Sequence, residues 1–207
     1  MTTKVISTMT SGIVEDTDKA SATPVALSTG AAGDVIQLDA AGALPELYMN
    51  QHVTQWRLIA DFAVGTGENV VSNTWEEVDT SLQARVGSAM TIDEGVFTFP
   101  KTGVWLVRFY GVVAKNTGDV SNIVADLFGT TDSGGSTEMR LASTHSGVSS
   151  KQAFSSLSLE SLFDVLNTTN NKVKIKMSAN SSGSDLLSHT SFNKTYLTFQ
   201  YVGPKAT

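Results

Sequence analysis

The segment Thr131-Asp132-Ser133-Gly134-Gly135-Ser136 sets a serine between a carboxylate and two glycines. Such a serine is a nucleophile only if a histidine reaches it as general base and backbone N–H groups receive the oxyanion. The chain has three histidines, His52, His145 and His189. None stands near another histidine or a carboxylate at a metal-ligand spacing, and all three read as loop or surface residues. Carboxylates cluster at Glu15-Asp16-Asp18 and at Glu76-Glu77-Asp79, without the run of oxygen ligands from one loop that calcium needs. There is no cysteine, so no thiol nucleophile, no Cys-based zinc site and no disulfide framework. Asn167, Asn180 and Asn193 head N-x-S/T triplets, which chance explains where 49 of 207 residues are Ser or Thr. No phosphate loop or dinucleotide fingerprint occurs. These residues point away from an enzyme and imply no cofactor.

The serine segment resembles the nucleophile stretch of trypsin-like serine proteases, which would make Ser133 the nucleophile. That family also carries Gly before the Asp and Pro after the glycines, where Thr131 and Ser136 stand here. Its Ala-Ala-His-Cys histidine context is missing, since His52 lies in NQHVTQW. The segment reads instead as a turn between strands, and a hydrolase using Ser133 is a remote third reading.

Charged residues make up 16%, against the usual share of about 25%. Ser, Thr and 17 Gly fill the gap, a mixture that favours strands and turns. The net charge of −6 and the scattered basic residues argue against a nucleic-acid partner. No stretch approaches the ~20 apolar residues of a membrane span, so no membrane insertion is expected. MTTKVISTMTSGIVED lacks the charged-then-apolar pattern of a secretion signal.

Two regions differ. Residues 1–53 contain Ser, Thr, Ala and Gly with few large side chains, and short apolar pieces such as Val35-Ile36-Gln37-Leu38 and Leu44 that suit a hairpin or clip. Residues 54–207 hold ten short runs rich in Val, Ile, Phe, Trp and Thr, separated by turn residues. The expected fold is all-β: a ten-stranded, two-sheet jelly-roll sandwich preceded by an extended N-terminal segment. LSLESLFDV fits neither period cleanly and is read as a strand.

The strands are of two kinds. In KVKIKMSA, Lys172, Lys174 and Lys176 alternate with Val173, Ile175 and Met177, one wet face against one dry. GVWLVRFYGVV differs: Trp105, Val107, Phe109 and Val113 take one face, and Val104, Leu106, Tyr110 and Val112 take the other. KTYLTFQYVG is likewise apolar or aromatic on both faces. With no helix to cover the second face, another copy of the chain is the expected cover. The candidate interface residues are Trp105, Val107, Phe109, Tyr110, Tyr196, Phe199 and Tyr201.

The order of these features resembles the trimeric jelly roll of the complement-head and tumour-necrosis-factor superfamily. The resemblance is carried by Gly95-Val96-Phe97-Thr98-Phe99-Pro100, Gly103-Val104-Trp105-Leu106-Val107 and the terminal Thr195-Tyr196-Leu197-Thr198-Phe199. It covers residues 54–204 and implies ten strands, with the two-sided strands in an inner sheet packed round a threefold axis. Some relatives hold calcium at the trimer apex, which would fall to Asp119, Asp126 or Asp132. Separately, GDVIQLDAAG resembles a short linker of phage fibre and virion proteins, carried by Gly33, Asp34, Val35, Ile36, Leu38, Asp39 and Gly42. The combined expectation is a virion surface protein: a phage head fibre, decoration knob or short tail fibre assembled in the host cytoplasm. Its N-terminal segment would attach to other virion proteins, and its homotrimeric knob could meet a host glycan or surface protein through loops. The alternative is a secreted bacterial carbohydrate-binding or adhesive module.

Overall fold

A computed structural model of the chain describes residues 51–72, 75–132, 137–150 and 153–205, with the strand backbone at 26–28 and 35–37. The chain divides into two units, Met1–Met49 and Asn50–Thr207. In the first, β1 (Ala26–Ser28) pairs antiparallel with β2 (Val35–Gln37), Leu27 opposite Ile36. Val35 and Ile36 therefore lie on a strand; Leu38 and Leu44 lie outside the described residues.

The second unit is all-β, with no helix among the described residues. Its strands are β3 (Val53–Leu58), β4 (Phe62–Val64), β5 (Asn69–Val70), β6 (Trp75–Glu77), β7 (Thr91–Asp93) and β8 (Val96–Thr98). There follow β9 (Gly103–Lys115), β10 (Val120–Thr130), β11 (Glu138–Val148), β12 (Phe154–Val165), β13 (Lys172–Ala179), β14 (Ser184–Leu186) and β15 (Tyr196–Gly203). One sheet runs β11-β10-β13-β8-β7, with β5 also on β13. The other runs β4-β14-β9-β15-β3-β6, with β12 on the far edge of β9. All pairs are antiparallel.

Thirteen strands replace the expected ten. The stretch 55–64 breaks into β3 and β4 because Asp61 leaves the ladder to accept hydrogen bonds from Ser188 N (2.7 Å) and Oγ (2.8 Å). β5 and β14 span two and three residues, too short to show a period. β7 and β8 meet through Glu94-Gly95, both at positive φ (46° and 80°), the two-residue hairpin whose twist suits its strands. A Cβ at Gly95 would stand 2.5 Å from the Val71 carbonyl oxygen, so the position needs glycine on two counts.

The core lies between the sheets and is aromatic at its centre. Phe97 sits 4.9 Å from Phe199, Phe99 5.2 Å from Trp105 and Phe163 5.5 Å from Phe99, ring centre to ring centre. Such pairs add directional preference to burial and fix how the sheets face each other. His52, expected at the surface, is buried: its ring packs near Trp105 and Tyr201, and its Nδ1 accepts the Ser88 N–H (2.9 Å). The partners that enclose it come from β9 and β15, distant in sequence.

The outer face of the first sheet corrects a second expectation. Lys174 and Lys176 are not wet. Both reach Glu138 across the sheet, Lys176 at 2.5 Å, and Lys176 also lies over the Phe128 ring at 4.6 Å. Arg140 covers the same ring and joins Glu68 (2.7 Å) and Asp126 (3.2 Å). Burial alone would raise the Glu138 carboxyl, but hydrogen bonds from Lys174 and Lys176, with their charges, outweigh it and hold the group below its ordinary value of 4.5. A carboxylate depressed by folding stabilises the fold above its unfolded value, and that contribution fades as pH falls through the folded one. Glu138→Gln should cost about 1–3 kcal/mol near neutrality, because two mostly buried ammonium groups lose their counter-charge. Urea unfolding of both proteins at several pH values should show the gap closing below 4.5; a gap independent of pH would count against the network.

Candidate self-association face

The outer face of the second sheet is built differently, and the register fixes its rows. Leu162 (β12), Leu106 (β9), Gln200 (β15) and Val53 (β3) form one row. Glu160, Arg108, Thr198 and Gln55 form the next, and Ser158, Tyr110, Tyr196 and Arg57 the third. Side chains two residues apart along each strand share this face.

The two tyrosines pair at 5.6 Å between ring centres, and both are partly open to solvent. Leu162 and Val202 are well exposed. The middle row is hydrogen-bonded within itself and to its neighbours. Arg108 Nε donates to Glu160 (3.1 Å), Arg108 Nη1 to Gln200 (3.4 Å), Gln55 Nε2 to Thr198 (3.1 Å) and Asn193 Nδ2 to Gln55 (3.0 Å). A hollow of about 520 Å³ opens between these groups and the tyrosine pair. Arg57 closes the third row but is buried, gripped by Glu76, Asp79 and Thr80. It anchors the β6 edge and is not available to a partner.

The seven candidate interface residues divide. Trp105, Val107, Phe109 and Phe199 are fully buried between the two sheets of one chain, so no second copy can cover them. Tyr201 sits on the same inner side, against Trp105 at 5.3 Å and beneath Lys101 at 4.3 Å. Only Tyr110 and Tyr196 belong to the outer face. The same outer face carries Leu106, Leu162, Gln200 and the Arg108–Glu160 pair, none of which is among the candidates the sequence suggested. The available sign was Arg108 itself, the one charge between Gly103 and Ala114 of β9.

Among the described residues the other candidate chemistry does not assemble. Ser133 lies outside the described residues. Asp119 pairs with Lys115 (2.9 Å), Asp126 with Arg140, and Asp132 Oδ2 accepts Thr137 N–H (2.9 Å). These three are spread along β10 and its flanking turns, roughly 40 Å at strand rise, so they form no common site within one chain. No cluster of three metal-binding side chains occurs among the described residues. His145 bonds Asn122 (3.2 Å), and His189 stacks on Phe192 at 3.7 Å. The sequon asparagines serve local structure: Asn167 Oδ1 accepts Thr169 N–H and Asn180 Oδ1 accepts Asn122 N–H.

No family model matches the chain, and no curated protein does. Solved structures do. Murine APRIL at pH 8.0 superposes with a TM-score of 0.52 at 13% identity, covering 73% of this chain and 99% of that one. Eiger TNF from S. frugiperda superposes with a TM-score of 0.54 at 11% identity, covering 76% and 96%. The fold is a TNF-like jelly roll. At these identities the likeness concerns the fold alone. Within the TNF-like jelly roll, β3, β15, β9 and β12 are the four strands of the second sheet that carry the three rows on its outer face.

Proposed function

We propose that the chain is a non-enzymatic virion surface protein of a bacteriophage, a head fibre, decoration knob or short tail fibre. Residues 1–53 would attach it to other virion proteins, and the TNF-like jelly roll would be displayed outward as a homotrimer. The observation that supports self-association is the outer face of the second sheet, where Leu106, Leu162, Tyr110, Tyr196 and Val202 leave apolar area open and no helix among the described residues covers it. The TNF-like fold and the threefold packing implied by the sequence resemblance agree with that cover. The virion assignment rests on the GDVIQLDAAG linker.

Light scattering should give the full chain a mass near three times 21.9 kDa, about 66 kDa. The chain should also co-sediment with assembled particles, and a version starting at Asn50, which keeps the buried His52 and all of β3, should stay trimeric but lose the particles. Glycan binding by free protein, with no affinity for particles, would favour the secreted adhesive module instead.

A further inference from the structure

We infer that the row formed by Glu160, Arg108, Thr198 and Gln55 sets the register in which copies of the chain associate. This rests on the proposed association through that face. The row lies between the leucine pair Leu106 and Leu162 and the tyrosine pair Tyr110 and Tyr196. Each pair is one row away, about 7 Å along the strands.

Within one chain the charged groups are only partly used. Arg108 bonds Glu160 and Gln200, yet its side chain is 48% exposed and that of Glu160 66%. A guanidinium has five N–H donors and a carboxylate has acceptor room for about four, so most of this capacity faces outward. Each copy brings one positive and one negative group to the same height along a threefold axis, so the positive group of one copy can meet the negative group of the next. A copy displaced by one row would press Arg108 and Glu160 against leucine or tyrosine and bury both with no bonds beyond those they make within their own chain. That register is penalised far more than the aligned one is favoured. A single polar position in the apolar seam of a coiled coil fixes register and chain number in the same way.

The test uses the full chain and the variants Arg108→Met, Glu160→Met and the double replacement, with dissociation constants from sedimentation equilibrium. Each single variant leaves one charge unpaired in the interface and should weaken association by roughly 100-fold or more. The double variant should return to within about tenfold of the parent while populating more than one assembly size. Urea unfolding of the dissociated chains should differ little, because the pair is half-exposed within one copy. Single variants indistinguishable from the parent would overturn the inference, since the pair would then sit on a hydrated rim. So would a double variant as weak as both singles combined. A parent that is monomeric at every concentration would instead remove the association itself, a separate failure visible before any variant is made.

Discussion

Trp105→Ala is expected to destabilise the TNF-like jelly roll by about 3–5 kcal/mol. The indole is fully buried, 5.2 Å from Phe99 and 5.3 Å from Tyr201, and its Nε1 donates to the Lys101 carbonyl at 3.2 Å. It stands on β9, which pairs with β12, β14 and β15 and is the only strand of its sheet with three neighbours. A cavity there cannot be closed by moving an edge strand inward, so the cost should fall near the top of the range. Native domains hold only about 5–15 kcal/mol in total, and the variant would keep a small remainder. At a urea slope of about 2 kcal/mol per molar, the midpoint should fall by roughly 2 M. Leu106→Ala, one residue along and facing out, should change the dissociated chain by less than half as much. Equal losses at the two positions would mean that both faces of β9 are buried alike within one chain.

That comparison touches the point at which the sequence stopped being informative. Alternation in GVWLVRFYGVV separates Trp105, Val107 and Phe109 from Leu106 and Tyr110 correctly. It does not say which set meets the opposite sheet, because a core and an interface are both desolvated and select the same side chains. The candidate interface residues therefore came from both faces, and the sorting needed the partner strands. The register with β12 is what sets Glu160 beside Arg108 and marks the outer side. The same limit applies to KVKIKMSA, whose period was legible while the ion pairs that bury Lys174 and Lys176 were not, since Glu138 lies two strands away. His52 was misjudged for the same reason: NQHVTQW looks like a turn, and its enclosure by Trp105 and Tyr201 is a long-range fact. The two-sheet class itself was plain, because it follows from many short strands and needs no particular contact.

Tyr110→Asp should convert the full chain from a species of about 66 kDa to one of 21.9 kDa. Tyr110 is 37% exposed in one copy, and its ring contacts Tyr196 on the surface rather than the core, so the fold should survive. In the assembly the new carboxylate would lie beside the tyrosine row and be buried once per copy, at a cost of several kcal/mol each. Arg108 is one row away, about 7 Å along the strands, which is a long reach for an aspartate, so it offers little compensation. Three such penalties exceed what a face of this size is expected to return, and dissociation should be complete at micromolar concentration. Leu82→Asp is the matched control. Leu82 is fully exposed and holds φ at 73°, a conformation aspartate tolerates better than leucine. The same charge placed there should leave the mass unchanged and the stability equal or slightly higher. If both variants dissociate, net charge governs association and the outer face of the second sheet does not. If neither does, the copies meet elsewhere, and the tyrosine pair stays partly open to solvent in the assembly as it is in one chain.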